Sequence, residues 1–376
     1  MNHRLSKAEI FNIVSIVKAL AIVMVVFFHE GMGAGNQLYQ NINHFLTPLR
    51  MPVFMFASGF LYFYVTKDRY PKYSTFVLEK AKRLLIPLVI IKICHLIIRF
   101  IKTPILLLFM PGTELPPFNI GDFVTNMLFF PHNSQFGYHL WFVYTLFLIF
   151  LVVHLFSTKI YWLTALSLVL FFVPMTYFMG LNYIRMYLVF FCLGAVLQQN
   201  LHLDTLTVSP WVMRSGLIIG LIVLSLLNNV GNMSDTTCDI YTFIKFLSGI
   251  VVVICTSTLL NFHNSQIIRQ LRFIGNYSAS IYFLHMYLYQ IFAVVVYRYY
   301  IGCSDLVLCF LVLSGLVVGV YTPILVDKYL ISRSQIASLL ILGRRLNITV
   351  PQLRLSIAHR TFKIYHHIKI YHQTKG

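Results

Sequence analysis

Ile10-Phe11-Asn12-Ile13-Val14-Ser15-Ile16-Val17-Lys18-Ala19-Leu20-Ala21-Ile22-Val23-Met24-Val25-Val26-Phe27-Phe28 is an apolar run of about 19 residues with a single charge, Lys18. At ~1.5 Å of rise per residue it nearly spans the ~30 Å of hydrocarbon in a bilayer, so it reads as a transmembrane helix. Similar runs follow at 48–65, 84–109, 139–156, 160–178, 184–198, 215–229, 241–260, 276–297 and 306–326. Composition agrees: 58% of residues are hydrophobic, 11% are charged and mean hydropathy is +0.77, whereas soluble domains carry roughly 25% charged residues. The fold predicted is all-α, a polytopic transmembrane bundle of about ten spans with the N- and C-termini cytoplasmic. Residues 1–327 form the membrane domain and 328–376 a basic cytoplasmic tail. The runs at 184–198 and 215–229 are short enough for a re-entrant or tilted segment. No small-residue cleavage pattern follows the first run, so it is expected to remain as the first span.

Orientation comes from charge. With the N-terminus inside, the inner segments collect Arg4, Lys7, Lys67, Arg69, Lys72, Lys80, Lys82, Arg83, Lys159, Arg214, Arg269 and Arg272, besides the basic residues after Asp327. Outer segments hold Glu30, Glu114, Asp122, Asp235, Asp239 and Asp305, with Arg50, Arg185 and Arg298 only at span edges, which is the positive-inside asymmetry. The net charge of +18 lies beside spans and in the tail with no nucleic-acid motif, so anionic lipid headgroups are the expected partners rather than nucleic acid. The tail, with Tyr365-His366-His367-Ile368-Lys369-Ile370-Tyr371, suits either an amphipathic segment on the inner leaflet or a disordered extension. The six cysteines show no zinc spacing, and no metal site is expected. Cys238 and Cys303 fall in outer loops, where a disulfide is chemically permitted.

Ionisable groups inside spans cost about 2.5–3.5 kcal/mol at a helix centre, so each one asks for a reason. Lys18 and His29 are eleven steps of ~100° apart, three turns plus about 20°, and therefore share a helix face about 16 Å apart. His29 reads either as an interfacial residue bonded to a loop or as an acid–base group with Glu30 beside it. Lys18 either snorkels or faces the interior. Arg50 opens the second span and His139 the fourth, at the same outer face. Ser58-Gly59 suits close helix packing as well as a polar contact. Lys80-Ala81-Lys82-Arg83 suits phosphate binding as well as membrane anchoring. Lys92, Arg99 and Lys102 recur on one side of the third span, as if facing a wet interior. His285 reads as a hydrogen-bonded core histidine or as part of a site.

The order of these motifs resembles the acyltransferase 3 family of bacterial membrane proteins, from the N-terminus to about Asp327. The carriers are Lys18 with His29, Met51-Pro52 with Ser58-Gly59-Phe60, Lys82-Arg83 with Ile86-Pro87, His139-Leu140-Trp141-Phe142, Phe190-Phe191-Cys192-Leu193-Gly194, and Gly275-Asn276-Tyr277-Ser278 with Tyr282 and His285. Lysine at the first motif and Met-Pro before Ser-Gly are similar to the fucose 4-O-acetylase-like branch, although Arg50 stands where that branch often has histidine. The resemblance implies O-acylation, usually O-acetylation, of a cell-envelope glycan or lipid-linked sugar at a bacterial inner membrane. Acetyl-CoA would be the donor substrate, with no permanently bound cofactor.

On that reading His29, Glu30 and Lys18 are the catalytic candidates, and His29 is a general base or an acyl carrier. Lys80, Lys82 and Arg83 would hold the CoA phosphates. Arg50, Ser58, His139, Trp141 and His285 would contact the substrate. The competing reading is a transporter or flippase of an anionic or lipid-linked sugar, for which inverted repeats with broken helices are expected and none is visible. A glycosyltransferase or polymerase would call for a larger outer loop. No GxSxG sequence is present to suggest a serine hydrolase.

Overall fold

The computed structural model describes residues 3–30, 36–66, 70, 72–109, 118–131, 137–201, 206–228, 235–263, 265–287 and 304–344, with backbone alone at His3, Glu30, Thr66, 102–109, 235–238 and Asp305. The side chains of Glu30, Lys102, Cys238 and Cys303 and the segment 365–371 therefore lie outside the described residues. The chain is an all-α bundle: α1 (Lys7–Glu30), α2 (Gln37–Leu46), α3 (Met51–Leu61), α4 (Tyr73–Phe109), α5 (Ile120–Leu128), α6 (Trp141–Leu155), α7 (Ile160–Phe171), α8 (Leu181–Asn200), α9 (Pro210–Asn228), α10 (Asp235–Asn261), α11 (Gln266–Asn276), α12 (278–287), α13 (Asp305–Tyr329) and α14 (Gln335–Leu342). A two-residue ladder between His3–Arg4 and Thr207–Val208 ties the N-terminal strand to the α8–α9 connection.

Helix α1 begins at a reciprocal cap: Ser6 N–H and Oγ each donate to the Glu9 carboxylate at 2.8 Å, and Glu9 N–H donates back to Ser6 Oγ at 3.2 Å. That arrangement satisfies amides which the first turn leaves without helical partners. From there α1 runs unbroken through the bundle interior, touching α3, α10, α11 and α13. Around it α3 packs on α8, α7 on α8, α9 on α10, and α4 on α6 and α14. Large apolar side chains such as Trp162, Trp211, Leu306 and Ile120 point outward, as lipid-facing surface requires when lipid itself is the solvent.

Seven of the described helical segments are long and apolar enough to cross a membrane: Lys7–His29, Tyr73–Ile101, Tyr138–Leu155, Phe178–Asn200, Pro210–Asn228, Asp239–Asn261 and Leu306–Arg333. The other three expected spans coincide with shorter helices, α3 with the π-helical turn Tyr62–Thr66 that follows it, α7, and α12, which is described to residue 287. The runs read as short, 184–198 and 215–229, are the cores of full-length α8 and α9. Arg185, inside α8, bonds Asp239 of α10 at 3.0 Å and Asn182 Oδ1 at 3.0 Å, so a charge near the end of an apolar run does not end the helix.

Two glycines bring α3 and α8 into direct backbone contact. A Cβ on Gly59 of α3 would sit 1.9 Å from the Phe191 carbonyl oxygen of α8, and one on Gly194 would sit 2.0 Å from that of Phe56. The two helices therefore meet backbone to backbone, the use of small residues that membrane packing favours. Beyond α13, residues 330–344 fold back so that α14 lies against α4.

Candidate functional site

The entry to α3 aims its first charged side chain. Thr47–Leu49 makes a 3-10 turn, Arg50 breaks the helix at φ −104°, ψ −99°, and Pro52 starts α3 near a position where its missing N–H costs nothing. The break turns Arg50 inward, 9% exposed, its guanidinium 4.3 Å above the Phe28 ring. Nη1 donates to Asn43 Oδ1 at 3.0 Å and Nη2 to Thr47 Oγ1 at 2.5 Å. Both partners are neutral, so its positive charge is held in place by these bonds without being cancelled by them.

His29, one residue from the end of α1, faces the same space. Its Nδ1 lies 3.2 Å from the Tyr138 hydroxyl, and its ring centroid is 5.2 Å from that of His285 and 6.3 Å from that of His139. A cavity of about 230 Å³ joins them, lined by His29, Arg50, Tyr138, His139, Trp141, Tyr187 and Tyr282 among others. Trp141 stacks on Tyr183 at 4.1 Å, which fixes the indole as one wall. His29, Arg50, His139 and Trp141, nominated from four separate stretches of sequence, thus meet at one place.

Behind this cavity the polar groups continue inward. The Tyr282 hydroxyl donates to the His139 carbonyl oxygen, and both ring nitrogens of His139 are buried with no hydrogen-bond partner. His285 directs Nδ1 at the carbonyls of Ile281 and Tyr282 at 2.9 and 3.0 Å. A carbonyl only accepts, so Nδ1 carries the proton and Nε2, buried without a partner, is the basic nitrogen. His95 stacks on Tyr287 at 4.2 Å with its ring 5.6 Å from that of His139. Lys92, one turn earlier on α4, is completely buried with its amine unpartnered, so it does not line an open interior. Arg99, farther along α4, is half-buried. Among the described residues no group of His, Cys, Asp or Glu is arranged to hold a metal ion.

Other nominated residues lie elsewhere. Lys18 is half-buried on the His29 side of α1 but does not line this cavity. Ser58 is half-buried on α3, and it is its neighbour Gly59 that makes the close contact with α8. Lys80 is buried, its amine 3.4 Å from the Phe150 ring centroid and also over Phe76 and Tyr62. It is held by aromatic faces, apart from Lys82 and Arg83. Those two line a second cavity of about 440 Å³ with Tyr70, Thr75, Glu79, Leu339, Gly343 and Arg344. Since α3 starts at the first cavity and α4 starts just after α3 ends, the two cavities lie at opposite ends of the bundle.

Tyr138, Tyr187, Tyr282 and His95 were not nominated from sequence. His95 carried a usable signal, since it follows Lys92 by three residues and so shares its helix face. Tyr282 stands among the residues that carry the family resemblance, though without a role, while Tyr138 and Tyr187 carried no signal, because an aromatic beside or within an apolar run is ordinarily core.

The sequence model of a family described as an acyltransferase domain, acyltransferase 3, matches residues 11–329. No curated protein and no solved structure matches the chain. The matched span contains every residue of the first cavity and ends before Leu339, Gly343 and Arg344 of the second.

Proposed function

The chain belongs to the acyltransferase 3 family and is a multi-pass membrane acyltransferase; on that premise we propose that it moves acetyl from acetyl-CoA to a hydroxyl of a cell-envelope glycan or lipid-linked sugar. The observation that supports this most is the convergence of His29, Arg50 and His139 on one cavity. An imidazole, a guanidinium whose hydrogen bonds among the described residues go to Asn43 and Thr47, and aromatic walls are what hydroxyl acylation calls for: a base, a cation for the oxyanion, and flat surfaces for a sugar ring. The charge asymmetry described above supports a reading in which this cavity faces outward and the Lys82–Arg83 cavity faces the cytoplasm, where CoA is found, in a bacterial inner membrane.

The steps follow from those groups. Tyr138 meets His29 Nδ1, leaving Nε2 to take the proton from the acceptor hydroxyl as its oxygen attacks the thioester carbonyl carbon. The carbonyl electron pair moves onto oxygen, and the Arg50 guanidinium, already fixed by Asn43 and Thr47, stabilises that oxyanion at little reorganisation cost. Collapse breaks the carbon–sulfur bond, and the departing thiolate takes the proton from the imidazolium. The products are an acetyl ester and free CoA. His139 and Trp141 orient the acceptor, and His285 packs behind His29. Lys18, on the same side of α1 between the two ends, aligns the donor arm. Lys82 and Arg83 hold its phosphates. In a variant of the same scheme His29 Nε2 carries the acetyl group itself.

Purified protein in lipid nanodiscs, given labelled acetyl-CoA and envelope glycan, should transfer label, and His29→Ala should lower the rate by about 10²–10⁴-fold, the usual contribution of a positioned acid–base group. Retained transfer in a folded His29→Ala protein removes the histidine from the chemistry. Absence of any acetyl-CoA turnover in the parent protein, with uptake or flipping of a sugar instead, replaces the enzyme by a transporter. An acetyl adduct on His29 before acceptor is added selects the carrier variant.

A further inference from the structure

Residues 330–344 lie beyond the span matched by the family domain, yet they supply Leu339, Gly343 and Arg344 to the lining of the 440 Å³ cavity that Lys82 and Arg83 share. Their placement is built in several steps. Asp327, fully buried near the end of α13, accepts from Ser280, from Ser332 at 2.8 Å and from both terminal nitrogens of Arg344, the Nη1 contact being 2.7 Å. Arg344 Nη1 also donates to Ser332 at 2.8 Å. One step back, Gly343 ends α14 at φ +61°, and a Cβ there would sit 2.1 Å from the Arg83 carbonyl oxygen. Only glycine adopts that conformation and that approach together without strain. The latch therefore seats the turn after α14 directly on the α4 backbone that carries Lys82 and Arg83.

We propose that this C-terminal latch completes a binding site for a phosphate-bearing ligand, in which Lys82 and Arg83 are the ligand contacts and Arg344, through Asp327, is a positioning residue. The lining holds three cations and one carboxylate, Glu79, which sits 3.9 Å from Lys82. Asp327 occupies the terminal nitrogens of Arg344 and Glu79 shares Lys82 at long range, so Arg83, with Lys82 beside it, carries the charge left for a ligand. Guanidinium and ammonium groups at one rim are chemistry that phosphate esters match. The source is the nucleotide portion of the acyl donor. This assignment rests on the acyltransferase reading, and an anionic lipid headgroup offers the same chemistry.

The test is CoA binding to the full-length protein in nanodiscs of neutral lipid, for the parent, Arg344→Gln and Lys82→Gln, with pantetheine as the phosphate-free control. The parent is expected to bind CoA and not pantetheine. Arg344→Gln should weaken CoA about ten-fold, the scale of one charge-assisted contact, raising KM for acetyl-CoA while kcat stays within about two-fold, a split that general loosening does not give. Restoration by Arg344→Lys, which returns the ion pair to Asp327, supports the latch. Equal CoA affinity in parent and Arg344→Gln, with the variant folded by its thermal midpoint, overturns the proposal. So does an outcome in which CoA binds neither protein and only anionic-lipid nanodiscs stabilise the parent over the variants, since the phosphate would then be a headgroup. CoA binding that depends on Arg344, without acetyl transfer to any acceptor, keeps the site and removes the transferase reading. Transfer that ignores Arg344→Gln does the reverse.

Discussion

Arg50 occupies a helix break, lies over Phe28 and spends its hydrogen bonds on Asn43 and Thr47. A lysine there keeps the charge but loses the paired donors and the flat face that stacks on a ring. Arg50→Lys is accordingly expected to reduce turnover by about 10–10²-fold, somewhat less than the loss of a full oxyanion donor, with the thermal midpoint little changed. Turnover equal to the parent's would mean that charge alone suffices. His29, Arg50 and His139 were legible in the sequence because each is a polar group that membrane insertion makes expensive. The structure separates Lys80 from Lys82 and Arg83, which a basic string in the sequence does not reveal. At ~100° per residue Lys82 is rotated by about 200° from Lys80, so those two leave the helix on opposite sides, while Arg83 stands only about 60° round from Lys80; what sets Lys80 apart from Arg83 is its own packing on Phe150, with Lys82 and Arg83 lining the second cavity. The partners of Arg50 were illegible, since nothing in one chain without coordinates links Asn43 to a guanidinium seven residues on.

Between elements, backbone contact rather than side-chain interdigitation holds the site's frame. Gly59 and Gly194 fit reciprocally against α8 and α3, and α3 carries Arg50 at its start while α8 contributes Tyr187. Several of the residues that carry the family resemblance therefore serve packing and not chemistry. Gly275 is another, where a Cβ would come within 1.8 Å of the Ser15 carbonyl oxygen of α1. Gly194→Leu is predicted to destabilise the protein by about 1–3 kcal/mol or more, the range for overpacking a filled interior, seen as a lower thermal midpoint in detergent and lower yield. Unchanged stability would mean that α3 and α8 can separate without cost. Element existence was readable from apolar runs, whereas lengths were not. The run at 48–65 becomes a 3-10 turn, a break at Arg50, α3 and a π-helical turn. The runs at 184–198 and 215–229 are parts of the longer helices α8 and α9, and in α8 Arg185 is accommodated by Asp239 of α10.

Across the whole molecule, the bundle holds two polar cavities at its two ends, one with His29, Arg50 and His139 and one with Lys82 and Arg83. Unpartnered polar atoms of Lys92, His95, His139 and His285 lie in the interior behind the first. On the proposed function that division supplies a cationic grip for the donor at one end and a base with an oxyanion cation at the other. The C-terminal boundary read at 327 marks the end of the last long apolar run, and hydropathy carries no trace of the polar latch by which residues 328–344 return to α4. The central claim is the proposal that acylation of a glycan hydroxyl depends on His29 as its base. Its most direct test is proton NMR and mass spectrometry of surface polysaccharide from gene-deleted cells complemented with the parent chain or with His29→Ala. The account predicts that one O-acetyl signal disappears on deletion, returns with the parent chain and stays absent with His29→Ala at equal membrane abundance. The same O-acetyl signal restored by His29→Ala would contradict it.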